Sequence, residues 1–420
     1  MSGATTMSTT FDAGAPGQRP GLSPEVPTLT IAALEAAPHD MFRQYRPRVP
    51  LAVRDNGSYI VLRSQDVDRL LSDGRLRAIE TDGMKMIGVA DGMLLDIFDY
   101  SMLTANGAVH RRRRAPFSRT FAARMIADLR PHIRQTAEDL IDSWPQEGDV
   151  DFVGDFAALV PARLISEILG LPKQDIPRFT ALVYSVSRAF SLTFTRDDLP
   201  GMQADARELQ QFVAALIADR RQAPIDDLIS RFLADADTQG ELSPIEIIMQ
   251  IVILIIGGTD TTRVAMAVQV ALLLEHRDQW DAVCRDAALI PAAVAEAMRY
   301  EPSVASTPRF SLEAIELDGF VLPAGKVVTL STMSAMRDER IYDQPDVFDI
   351  RRTDHRRLHP IFGGGAHRCI GEALAKAELE ESLAAVAVRF PQLRLVGGMP
   401  KLQGHTGIRR IGEMRVRRTD

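Results

Sequence analysis

The residues able to do chemistry fall in four short segments. In the first, Phe362-Gly363-Gly364-Gly365-Ala366-His367-Arg368-Cys369-Ile370-Gly371-Glu372 runs straight into a helical pattern, so a cysteine sits at a helix start. Unpaired backbone N–H groups and the positive end of the helix dipole favour a thiolate there, and the glycines let the backbone approach a bulky group. Such a sulfur serves as a nucleophile or a metal ligand; a small buried hydrophobe is the plainer alternative, and Cys284 keeps that plainer reading. The second segment is a long apolar helix opened by Ser243-Pro244-Ile245-Glu246, a capping box with proline just inside. In mid-helix it carries Gly257-Gly258-Thr259-Asp260-Thr261-Thr262. Adjacent glycines and back-bonding hydroxyls are costly there and predict a local bulge or kink, leaving either a groove with an acid and an alcohol or a close helix crossing. The third is Glu296 and Arg299, one turn apart on one helix. The fourth is His110-Arg111-Arg112-Arg113-Arg114, in which His110 and Arg114 share a helical face and Arg111 to Arg113 fan outward.

In this order the four segments resemble the cytochrome P450 family of haem-thiolate monooxygenases. Phe362, Gly365, Cys369 and Gly371 fit FxxGxxxCxG, His367 fits its bacterial variant, Glu296 and Arg299 fit ExxR, and Gly257 to Thr261 fit the oxygen-activation groove. The resemblance implies haem b with Cys369 as the iron ligand, a thiolate whose electron donation favours O–O cleavage. It further implies that Gly257, Phe362, Gly363 and Gly371 line the haem, that His110, Arg114, Arg309 and His367 meet its propionates, and that Asp260 and Thr261 deliver protons and steady dioxygen. Glu296, Arg299 and Arg352 become a structural brace. Asn106-Gly107-Ala108-Val109 and Met336 depart from the commonest family pattern.

No GxGxxG fingerprint follows a strand, so the resemblance implies a separate ferredoxin and an NAD(P)H-dependent ferredoxin reductase. An acidic ferredoxin would dock on the Cys369 side, steered by Arg111, Arg112, Arg113, Arg368 and Lys376. By position, Met86, Ile97, Phe98, Phe190, Leu254, Gly257, Val304, Ala305 and Ile408 would line an apolar substrate pocket, with Arg188 available to a substrate carboxylate. Two alternatives remain open: a non-catalytic haem-thiolate sensor and a haem-free cysteine hydrolase.

Positioning these segments requires a mainly α fold with small β-sheets (α+β), one large domain over 30–420 behind a flexible polar tail, 1–29. A hairpin is expected at 51–62 around Asp55-Asn56-Gly57, helices over most of 65–289, strands over 313–329, and a final helix at 370–389. The 420 residues are 46% apolar and 25% charged, enough for a sizeable core, and the net charge of −7 disfavours nucleic acid as a partner. Two cysteines make no disulfide framework and suit a reducing cytoplasm. The apolar run 247–258 is broken by Gln250 and is shorter than the roughly 20 residues of a membrane span, so no membrane anchor is expected.

Overall fold

The computed structural model describes residues 25–418, apart from 121–122, 192–193 and 356–359. One mixed seven-stranded sheet carries the β part of the fold. Its strands are β1 (Thr28–Leu29), β2 (Leu51–Arg54), β3 (Tyr59–Val61), β4 (Leu76–Ala78), β5 (Val304–Ser311), β6 (Val327–Ser331) and β7 (Gly407–Ile408). They run β1-β2-β3-β6-β5-β7, with β4 also on β5. β2 and β3 form the expected hairpin, closed by Gly57 at φ 80° and by Asn56, whose side-chain oxygen accepts from the Ser58 N–H. The tail boundary moves: Thr28 and Leu29 pair in parallel with Val53 and Arg54, and Leu29 is buried, so the fold begins before residue 30. Residues 1–24 lie outside the described residues.

β5 is longer than any strand read from the sequence and precedes the region where strands were expected. Pro308 hid it, because a proline gives no N–H to the ladder. Its neighbours still pair with both β4 and β6.

The helices that build the site are α1 (Ser64–Leu70), α2 (Met93–Tyr100), α3 (Gly107–Thr120), α4 (Ile176–Ser191), α5 (Pro244–Glu275), α6 (Ile290–Tyr300) and α7 (Glu372–Arg389). α5 is the axle. Its 32 residues span about 48 Å, and the Ser243–Glu246 capping box closes its N-terminus. Between Met249 and Leu274 only Gly257, Gly258, Thr261 and Arg263 escape full burial. The helix therefore runs far past Gly258 and is long and apolar enough to cross a bilayer, but most of its apolar stretch is buried inside the protein.

The α-helix runs unbroken through the glycines, so the expected bulge does not form. Thr259 donates to Ile255 O at 3.0 Å and Thr261 to Gly257 O at 3.1 Å, so the hydroxyls back-bond without breaking the ladder. Both readings of the glycine pair hold, one at each residue. A Cβ on Gly258 would lie 2.8 Å from Ile165 Cδ1, making it a crossing point, whereas a Cβ on Gly257 would meet nothing within 4 Å. The groove is at Gly257.

Candidate active site

The cysteine loop is shaped by backbone that only glycine takes easily. Gly363 and Gly365 have φ of 69° and 58°, and a Cβ on Gly364 would press to 3.0 Å on Leu71, at the end of α1. The Cys369 N–H donates to Phe362 O at 2.7 Å, Arg368 Nη1 donates to Gly363 O at 3.2 Å, and α7 begins three residues after the cysteine. Cys369 is a free thiol reached by solvent, yet its enclosure pushes its pKa up, and Glu372 adds to this against the Gly371 N–H, Arg114 and Arg368. The helix-start argument for a standing thiolate is thereby corrected. Burial outweighs the dipole, and a cation bound at the sulfur has to displace a proton.

Above the loop four basic groups converge. His110 and Arg309 are buried, His367 and Arg114 partly so, and the two imidazoles lie 4.1 Å apart. Among the described residues no carboxylate comes within ion-pair distance of any of them, and His110 Nε2 has no hydrogen-bond partner. Burial, then Arg114 and Arg111, lowers His110 to about 4; burial, then His110, Arg309 and Arg114, lowers His367 to about 3; burial lowers Arg309 to about 10. Two guanidiniums beside two imidazoles held neutral by their surroundings, with no acid among them, define a receptor for a strongly anionic group.

This cluster sets a pH dependence. The folded chain holds His110 neutral at pH values where the unfolded chain, with a pKa near 6.5, takes up a proton. Its contribution to the stability of the haem-free protein is therefore full above about pH 6.5 and falls as pH drops towards 4, by up to about 1.4 kcal/mol per pH unit, and His367 adds a loss of the same sign. Urea midpoints measured from pH 7.5 to 4.5 should show this slope, flattened in His110→Gln; an unaltered slope in the variant removes His110 as its source.

The acid and the alcohol of α5 are neighbours that face different partners. Thr261 lies one turn after Gly257 on the open face, while buried Asp260 is ion-paired with Arg263 at 2.5 Å. The Arg263 guanidinium in turn stacks 4.4 Å from the Tyr184 ring centroid. On the far side, Glu296 and Arg299 are both completely buried and meet in a two-pronged pair at 2.7 and 2.8 Å, with Arg352 Nε at 3.4 Å from Glu296.

Of the pocket residues, Phe98 on α2 and Phe190 on α4 stack at 4.6 Å, and Ile408 pairs across the sheet with Val304. Gly407 lies so close to Phe190 O that a side chain there would clash. Leu254 stands one turn before Gly257, and Ile97 is buried with it in one apolar cluster. Ala305 is corrected: successive strand residues face opposite sides, and it is buried in the cluster behind the sheet with Leu330 and Met333. Met86 opens on a different cleft, with Asp82, Lys85, Phe310 and Lys326. Arg188 is paired with Asp198 at 3.0 Å.

The arginine run is corrected too. Arg113 is buried, and with Arg112 it grips Glu246 of α5. Burial alone would raise the Glu246 carboxyl, but Arg112, the Ser243 N–H and Arg113 hold it down at about 2. Arg368 and Lys376 share Glu372, and Arg111 stays exposed. Sequence reasoning missed Glu246 and Gln250 as anchors, although two polar residues on an apolar helix were the signal.

A solvent-reached thiol, an open groove at Gly257 and a basic cluster with no acid partner suit an anionic cofactor that takes one sulfur ligand. Among the described residues no three His, Cys, Asp or Glu side chains are grouped to hold a metal ion, and Cys369 is the ligand that the family resemblance implies. Haem, which that resemblance implies, carries its other iron ligands in its own ring, and the basic cluster suits its two propionates. Residues 176–403 match the cytochrome P450 family model. The chain is 42% identical over 387 residues to the plant-inducible cytochrome P450-pinF1 of Rhizobium radiobacter, covering 92% of each. It is 32% identical over 352 residues to luteothin monooxygenase of Streptomyces thioluteus, covering 83% of this chain and 84% of that one. A solved structure of the myxobacterial cytochrome P450 CYP267B1 with myristic acid superposes with a TM-score of 0.82 at 30% identity, covering 92% and 98%. The chain belongs to the cytochrome P450 family. It is a bacterial-type haem b monooxygenase, an oxidoreductase.

Proposed function

We propose that this enzyme hydroxylates an apolar small molecule held between the Phe98–Phe190 stack and the Gly257 groove, with electrons from a separate acidic ferredoxin. The observation that carries the reading is the open face of α5, where Gly257 and Thr261 are uncovered next to Leu254, whose apolar cluster Phe98 and Phe190 pack against. The myristic acid bound by CYP267B1 is an apolar chain of the kind such walls would suit.

Haem ligated by Cys369 supplies the oxygen-activating chemistry when bound, with His110, Arg114, Arg309 and His367 on its propionates and Phe362, Gly363 and Gly371 beside it. The chain's own part is proton management. The Thr261 hydroxyl, parked on Gly257 O, turns to donate into the groove. Asp260 takes up and passes a proton only when it lets go of Arg263, so the ion pair is a latch on delivery. Glu296, Arg299 and Arg352 stay out of the chemistry and hold the core. Of the five cations named for docking, Arg111 is the one with no ion pair among the described residues, and it would steer a ferredoxin on the Cys369 side; the two free thiols suit the cytoplasm. The raised thiol gives no support to a cysteine hydrolase.

Thr261→Ala tests the reading. It should keep haem and substrate binding and NAD(P)H consumption, while product per NAD(P)H falls about tenfold or more and peroxide rises to match. Unchanged coupling would remove Thr261 from the proton path.

A further inference from the structure

The break that Gln250 makes in the apolar face of α5 has a counterpart across the molecule. Gln250 is completely buried, where an amide is costly unless each of its groups is paired. Its Oε1 accepts the Met102 N–H at 2.7 Å, and its Nε2 donates to Tyr100 O at 2.7 Å and to Glu246 O at 2.8 Å. From α3, Arg113 Nη1 donates to Asp99 O at 2.8 Å and to Ser101 O at 3.1 Å, while its Nε donates to Glu246 at 2.9 Å. Two side chains therefore hold backbone groups of four consecutive residues, 99–102. Past Tyr100 that segment is turn and coil, with neither helix nor strand to fix it before α3 begins at Gly107.

The segment joins two parts of the site. α2, before it, carries Ile97 and Phe98; α3, after it, carries His110 and Arg114. A shift in its register would move Phe98 off Phe190 and rotate α3 with the same displacement. Glu246 ties the clasp to the helix that holds the groove, because the carboxylate that closes the α5 capping box also receives Arg112 and Arg113.

We propose that Gln250 and Arg113 are positioning residues which set the α2–α3 segment, and through it the fit of a bulky apolar ligand under Phe98. The proposal rests on reading the Gly257 groove as the substrate site. Two probes separate it from a purely structural role: imidazole, and phenylimidazole, which adds a bulky apolar ring. Both are titrated by absorbance into the haem-loaded enzyme, and hydrogen exchange of 99–106 is read alongside.

In Gln250→Met, which keeps shape but leaves the Tyr100 carbonyl and Met102 N–H unpaired, phenylimidazole should weaken about tenfold relative to imidazole. Exchange at 99–106 should rise while α7 stays protected. Arg113→Lys keeps a charge beside Glu246 but loses the fork to Asp99 and Ser101, and it carries the test on its own if the first variant does not accumulate. An unchanged ratio of the two dissociation constants in a folded variant overturns the proposal, as does unaltered exchange at 99–106. Failure of the parent protein to bind haem would instead sink the functional reading, and that result is visible before either variant is made.

Discussion

Cys369→Ser is expected to fold and to lose the red-shifted Soret band of its reduced carbon-monoxide complex, with turnover falling by more than about a hundredfold. The fold survives because the loop is not built on the sulfur. Its shape comes from the positive φ of Gly363 and Gly365, the Cys369 N–H to Phe362 O bond and the Arg368 to Gly363 O bond, none of which involves the side chain. Since the thiol faces solvent, losing it costs little stability, within about 0.5 kcal/mol by urea denaturation. The chemistry does not survive, for a serine hydroxyl stays protonated where a thiol gives way, and its oxygen donates far less electron density. A second readout follows from the raised thiol: haem uptake by the parent chain should release a proton that pH-stat titration detects, and the serine variant should release none. A thiolate-type spectrum in Cys369→Ser would remove the ligand assignment.

What could be read from the sequence was chemistry fixed by short spacing. The Cys369 loop, the Glu296–Arg299 turn and the Gly257–Thr261 face each lie within one local element, so residue type and helical geometry sufficed. The hairpin at Asn56-Gly57 was legible for the same reason. What failed depended on distant partners. A helical wheel turns Arg113 towards solvent, but Glu246, 133 residues away, draws it inside. The helix-start argument for Cys369 weighed the helix dipole but not the desolvation and the Glu372 charge that raise the thiol. β5 was lost because its identity as a strand comes from β4 and β6 rather than from its own Pro308-interrupted pattern, and with it went the alternation that sends Ala305 to the wrong face for a pocket. Met86 failed likewise, since its position along the chain said nothing of which cleft it would line.

Arg299 marks the point where a local pair becomes a global constraint, and its replacement should have the largest effect on the fold. All five of its N–H donors are used: Nε and Nη2 on Glu296 at 2.7 and 2.8 Å, Nη1 on Met336 O at 3.0 Å and Pro345 O at 2.8 Å, and Nη2 also on Val347 O at 3.1 Å. Three of those acceptors lie on the segment that leads towards the cysteine loop, and Glu296 captures a fourth point on it through the Asp349 N–H at 2.9 Å. Arg299→Ala leaves a completely buried carboxylate with Arg352, at 3.4 Å, as its remaining arginine partner, a loss of about 3–5 kcal/mol. The Met336 and Pro345 carbonyls, left bare, add about 1–3 kcal/mol each, while Val347 O keeps a bond from Arg352 Nη2 at 3.3 Å. Against a total stability of about 5–15 kcal/mol, the alanine variant should not accumulate as folded protein. Arg299→Lys is the sharper test, because it keeps the charge and loses the fork. Three donors on a flexible stem cannot serve a two-pronged carboxylate and three carbonyls, so the variant should fold with its stability lowered by roughly 3 kcal/mol and its haem occupancy reduced. If Arg299→Lys matched the parent in both urea midpoint and haem content, charge alone would be holding this core, and the geometric account of the brace would fail.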